Sequence, residues 1–248
     1  MTISRSTRLG LALSLTLTAC GDKAADPAAP ATTAAASPAS PAGQTDWLTI
    51  NAATPEGGFR MGNPDAKVKL IEFASLTCPH CADFHGQAFE TIKAKYVASG
   101  NVSYEYRNFV LNGPDYAASM LARCQGAAPF FGLLDSFYKD QASWTEPFSK
   151  LTDADSARLS ALPEDKQIAM LAEVGKLDAF VRTRGMPRAK FDQCLADKGA
   201  LDKLLELRKQ ATDTYKLTGT PGFIINGAVQ TDVYDWKTLE PKLQAALQ

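Results

Sequence analysis

The sequence predicts an α/β domain interrupted by an all-helical block, on three observations. Val68 to Ala74 and Asn101 to Leu111 read as core strands around a helical run, and a strand–helix–strand unit sets its strands parallel. From Pro114 to about Leu217 helical periods follow one another without a convincing strand. Phe223 to Ile225 then forms a short apolar strand. Asn226-Gly227 is a two-residue hairpin turn signal, and Ala228 to Thr231 returns.

The first residues have a different character. Arg5 and Arg8 precede a short apolar run, Leu9 to Thr18, and Ala19 stands before Cys20. This pattern predicts an export leader over residues 1–19, too short to span a bilayer. Leu17-Thr18-Ala19-Cys20 looks like a bacterial lipobox, which would leave a lipidated Cys20 at the new N-terminus and an anchor in a membrane. An ordinary secretory signal with an incidental cysteine is the plain alternative. Residues 20–45 are mostly Ala, Pro, Thr and Ser and cannot bury enough surface to offset their ordering entropy. They read as a disordered tether with a mean reach of roughly 25–30 Å.

Residues 46–248 have an ordinary globular composition and suit one domain with a sizeable insertion. A net charge of -1 argues against nucleic acid as the main partner. Export would place the cysteines in an oxidising compartment. With Cys20 assigned to lipid, four of the five cysteines remain, the even number that two disulfides need.

Trp47 to Ala52 reads as a first, edge strand, and Gly62-Asn63-Pro64-Asp65 as a turn. Val68 to Ala74 is β-rich and apolar on both faces, as in a central strand covered by helices. Pro79 to Ser99 carries helical spacing through Phe84, Ala88, Phe89, Ile92 and Tyr96. Within the block at about 114–217, helices are expected at Tyr116–Gln125, Pro129–Asp140, Pro163–Leu171, Val174–Arg184, Arg188–Asp197 and Leu201–Tyr215. Asp235 can cap a final helix containing Trp236, Leu239 and Leu243.

The chemistry concentrates at Cys78-Pro79-His80-Cys81, between the first core strand and the helix. Two cysteines at this spacing form a dithiol able to close into a small disulfide ring. Unpaired N–H groups and the positive dipole end of the helix lower the pKa of the first sulfur, and the thiolate is the form that attacks disulfides. Cys78 can be exposed, whereas Cys81 lies one turn inside. Pro79 suits the first helical position, where its missing N–H costs nothing. His80 is one of two histidines, and its imidazole or backbone N–H can stabilise negative charge. A structural disulfide is the plain alternative. A zinc site using His85 would need a fourth ligand that no nearby pair supplies, and His85 reads as a helix surface or interface residue. Glu72 interrupts the apolar strand. A carboxylate there is costly unless protonated or paired, and Lys69, expected on the same strand face, is a candidate ion-pair partner. Far downstream, Gly219-Thr220-Pro221-Gly222-Phe223 puts a proline at the start of a strand, where the preceding bond can be cis.

Together, Glu-Phe-Ala-Ser-Leu-Thr-Cys-Pro-His-Cys, the helical block and Thr220-Pro221 resemble the DsbA-like branch of the thioredoxin superfamily over residues 46–248. The resemblance implies a thioredoxin-like fold with an inserted all-helical domain. It further implies a nucleophile at Cys78, a resolving thiol at Cys81 and a redox-active disulfide between them. Pro79-His80 is the dipeptide of the strongly oxidising members. An acid at the position of Glu72 would move a proton to or from Cys81. Thr220 and Pro221 would face the disulfide, the backbone of Thr220 pairing with an extended substrate as in strand addition. Threonine at that place also occurs in the isomerase branches. Cys124 and Cys194 resemble a structural disulfide of some members, with two buried free thiols as the alternative.

The function expected is a monomeric periplasmic oxidoreductase, needing no cofactor or metal, that donates its disulfide to reduced exported proteins. A DsbB-type membrane quinone reductase would reoxidise it. An isomerase or reductase of the same fold is the nearest rival, and a membrane-tethered polypeptide-binding protein without a redox role is another.

Overall fold

A computed structural model of the protein describes residues 45–248. The expected leader, Cys20 and the tether up to residue 44 lie outside the described residues.

The chain enters through a 3₁₀ turn, Trp47–Thr49, rather than the expected strand. The Asp46 side chain accepts from the Leu48 N–H and starts this turn, so extended pairing begins only at β1, Asn51–Ala53. The three-residue strand β2, Phe59–Met61, pairs antiparallel with β1. Strand β3, Val68–Ala74, follows and leads through a short loop into helix α1, Pro79–Thr91, which continues through one π-helical segment, Ile92–Val97. Strand β4, Val102–Asn108, returns parallel to β3 with Glu72 opposite Tyr106.

The helical block then runs from α2, Gly113–Arg123, through α3, Ala127–Lys139, and the short α4, Gln141–Thr145. Helices α5, Asp153–Ser160, α6, Glu164–Val174, and α7, Leu177–Arg182, come next. Helices α8, Arg188–Leu195, and α9, Lys198–Lys209, complete it. Strands β5, Gly222–Ile225, and β6, Ala228–Val229, form the hairpin expected at Asn226-Gly227, where both turn residues take positive φ. Helix α10, Trp236–Leu247, is capped by Asp235.

The six strands lie in the order β1-β2-β4-β3-β5-β6, with β3 and β4 parallel and the remaining pairs antiparallel. Residues alternate across a strand, so Val68, Leu70, Glu72 and Ala74 share one face of β3. That face packs under Phe84 and Ala88 of α1 and Ile92 of its continuation and joins the main core. The opposite face, with Phe73, Ile224 and Ala211, forms a smaller cluster. The sheet therefore places α1 over a buried face that contains one carboxylate, Glu72.

Candidate active site

Helix α1 begins where β3 ends. Its N-cap is Cys78, whose side chain caps nothing, and Pro79 occupies the first turn. The first-turn N–H groups have no other side-chain cap, and those of His80 and Cys81 act on the sulfur. Cys78 is 6% exposed and Cys81 is fully buried, so the nucleophile candidate is more enclosed than the sequence suggests but remains the more accessible of the two. The structure holds both as free thiols. The Cys78 Sγ–H donates to the Thr220 carbonyl at 3.4 Å, and the Thr220–Pro221 peptide is cis.

This setting lowers the Cys78 pKa to about 5. The largest cause is a hydrogen bond from the Cys81 thiol. Burial opposes it, and the Thr220 side chain and the backbone N–H groups of Cys81 and His80 add to it. Cys81 moves the other way, pushed well up by burial, by its bond to Cys78 and by the charges of Cys78 and Glu72. His80 contributes through its backbone, and its exposed side chain lines a cavity of about 300 Å³ with Thr220, Pro221 and Tyr234. A neighbouring groove of about 370 Å³ shares Thr220, Pro221 and Tyr234.

Glu72 is 1% exposed. Its Oε2 accepts from the Tyr104 hydroxyl at 2.6 Å. Burial raises its pKa to about 8, against the lowering effect of Tyr104. Lys69 is not its partner: it stands three residues away on the strand, hence on the opposite face, and is exposed. Of the two expectations for His85, surface or interface, the structure shows the interface, between α1 and α3. The side chain is buried, its Nε2 lies 3.0 Å from Asp135 Oδ1 on α3, and its ring stacks on Phe89. Burial is the main cause lowering its pKa.

The helical block grips the loop before Cys78. Gln141 Nε2 donates to the carbonyls of Leu76 and Cys78 at 2.8 and 2.9 Å. Asp115, fully buried in α2, accepts from the Ser75 and Ser119 hydroxyls and from the Leu76 and Leu111 N–H groups. The Tyr138 hydroxyl donates to the Ser75 carbonyl at 3.2 Å and lies 2.8 Å from that of Tyr106. Within the block, Cys124 and Cys194 are joined in a disulfide with a Cα–Cα distance of 5.6 Å.

Residues 78, 79, 80, 81, 72, 220 and 221 thus converge on one site, and Cys124–Cys194 stands apart from it. Sequence reasoning missed Tyr104, Asp115, Tyr138, Gln141 and Tyr234. Tyr104 carried a usable signal, because Tyr104 and Tyr106 alternate along β4 on the face that Glu72 occupies. The others reach the site from distant segments and carry no local pattern.

The site can do one thing well. A cysteine held as a thiolate beside a buried thiol and an open groove can exchange disulfides with an extended chain.

Residues 54–245 match the family model described as Thioredoxin. A protein-disulfide isomerase from Novosphingobium aromaticivorans is similar in structure, with a TM-score of 0.74 and 32% identity, covering 76% of this chain and 96% of that one. The α-DsbA1 of Wolbachia pipientis shares the fold, with a TM-score of 0.63 and 24% identity over 79% of this chain and 93% of that one. A Rickettsia bellii chain that carries the name of a protein-disulfide oxidoreductase is 29% identical over 194 residues, 78% of this chain and 66% of that one. This chain spans 59 to 66% of the length of the curated Rickettsia relatives it matches.

Proposed function

The chain belongs to the thioredoxin family, and from that premise we propose that it is a periplasmic thiol:disulfide oxidoreductase that introduces disulfides into exported proteins. The observation that carries the reading is the opposed tuning of two adjacent thiols: Cys78 lowered to about 5 and Cys81 raised by burial. A substrate thiolate attacks Cys78 Sγ of the Cys78–Cys81 disulfide, the S–S bond breaks, and Cys81 leaves as a thiolate that takes a proton. Glu72, with a pKa of about 8, is the group placed to give it. A second substrate thiolate attacks the substrate sulfur of the mixed disulfide and expels Cys78, whose low pKa makes it a good leaving group. The products are a substrate disulfide and the reduced protein. Pro79 starts the helix that favours the Cys78 thiolate, and the His80 backbone joins it. Thr220 and Pro221 form the edge on which an extended substrate lies.

The leader-like sequence of residues 1–19 and the lipobox-like run ending at Cys20 support a lipid anchor in a membrane as part of this proposal. A DsbB-type quinone-linked membrane protein is the proposed oxidant. Isomerisation is the second reading, favoured by the name of the Novosphingobium protein. Reduced and scrambled ribonuclease separate the two. The proposal expects rapid oxidation of the reduced enzyme's thiols with little gain from the scrambled one. Strong reactivation of scrambled ribonuclease with poor oxidation of the reduced form would overturn it.

A further inference from the structure

Glu72 sits in surroundings that leave its charge almost unsupported. Opposite it on β4 is Tyr106, whose hydroxyl is engaged by the Ala74 carbonyl and by Tyr138. Opposite it on β5 is Phe223, with the Phe84 ring 4.7 Å away. Helix α10 presents Leu239 and Leu243 to this core, and its Glu240 is taken by Lys95 and Tyr96. The titratable groups around Glu72 are Cys78 and Cys81 of α1, Tyr104 and Tyr106 of β4 and Tyr138 of α3. Among the described residues no ion pair reaches Glu72, and one side-chain hydrogen bond does, from the Tyr104 hydroxyl at 2.6 Å. Tyr104 is itself 1% exposed, and burial keeps its phenol protonated.

We infer that Tyr104 is the positioning residue of the proton relay, the donor that favours the carboxylate form of Glu72, which is the form that takes the Cys81 proton. The inference rests on the reading of Glu72 as the proton carrier. A buried carboxylate is stabilised by a donor, and a hydrogen bond to the ion is stronger than one to the neutral acid. Without Tyr104 the carboxyl would stay protonated to higher pH, and the fraction present as base near neutrality would fall further.

The step that exposes this is closure of the ring. Cys81 Sγ–H gives its proton to Glu72, and the thiolate attacks Cys78 Sγ of a mixed disulfide. The Cys78–Cys81 bond forms, the bond to the outer sulfur breaks, and that sulfur leaves as a thiolate. Tyr104 does not touch the reacting sulfurs, so its signature is a displaced pH profile rather than a lost reaction.

The test follows glutathione release when the reduced protein meets saturating oxidised glutathione, across pH, for the wild type, Tyr104→Phe and Glu72→Gln. Phenylalanine keeps the ring and removes only the donor. The wild-type rate should rise through a midpoint at or a little below about 8, because the mixed disulfide removes the Cys78 charge that helps to raise Glu72. For Tyr104→Phe that midpoint should move up by about 1 to 2 pH units, the worth of a hydrogen bond to an ion, and the rate at pH 7 should fall about 10- to 100-fold. Glu72→Gln should lack the limb. An unmoved midpoint in Tyr104→Phe, with the limb lost in Glu72→Gln, would overturn the role of Tyr104 and leave the relay standing. A wild-type limb in Glu72→Gln would overturn the relay and the inference with it.

Discussion

Cys78→Ala is expected to abolish disulfide exchange, reducing it to background at neutral pH. The substitution removes the sulfur that meets the substrate, and with a pKa of about 5 that sulfur is almost wholly thiolate at pH 7. Cys81 cannot substitute, because it is fully buried and its pKa is pushed up. Cys81→Ala separates the roles. It keeps the nucleophile and removes the resolving thiol, so it should accumulate a mixed disulfide with a substrate peptide, visible as a mass adduct. Cys78→Ala should accumulate none. Adducts on Cys81 in the Cys78→Ala protein would reverse the assignment.

Removing the second disulfide should act on stability instead. Cys124 and Cys194 are 70 residues apart, and cross-linking a loop of that length lowers the entropy of the unfolded chain enough to stabilise the fold by about 4 kcal/mol. For a domain of this size each kcal/mol moves the melting temperature by about 2–4 °C. The double variant Cys124→Ala, Cys194→Ala should therefore melt roughly 8 to 16 °C below the wild type. With Cys78 and Cys81 both replaced by Ala, so that the active-site pair does not respond, reductant should lower the protein that keeps the bridge by a similar amount and leave the one without it nearly unmoved. Equal melting temperatures without reductant would show that the bridge does not constrain the chain.

Much of this was readable from the residues, for local reasons. The apolar run of β3, the helical spacing after Pro79 and the Asn226-Gly227 turn are short-range patterns, and each produced its element. Cys78, Pro79, His80 and Cys81 share one turn of chain. Glu72 was visible because a carboxylate in an apolar strand is costly. The short elements were not readable. Strand β2 has three residues with Arg60 in the middle, too few to show an alternation, and it exists because β4 pairs with it. The Trp47–Thr49 turn depends on one side-chain cap. The helices at Gln141–Thr145 and Asp153–Ser160 are too short for a clear period. The supports of the site were hidden for a different reason. Tyr104 meets Glu72 across 32 residues, and Gln141 meets Leu76 across 65. Contacts of that kind arise from the way the helical block packs on the sheet, and no window of sequence contains them.

The opposed tuning of the two thiols also fixes a sign. The pKa of Cys78 is depressed in the fold, so its thiolate favours the reduced folded state fully above the ordinary thiol value near 9 and loses that effect as pH falls through about 5. In exchange with glutathione, whose thiols stay protonated over this range, the reduced protein should gain on the disulfide form as pH rises from 4 to 7, the direction required of an oxidant. The most direct test is the ultraviolet thiolate absorbance of the reduced protein titrated with acid, with Cys78→Ala as the blank. The account predicts a single transition near pH 5 that vanishes in Cys78→Ala; a transition near 9, or one that survives the substitution, would contradict it.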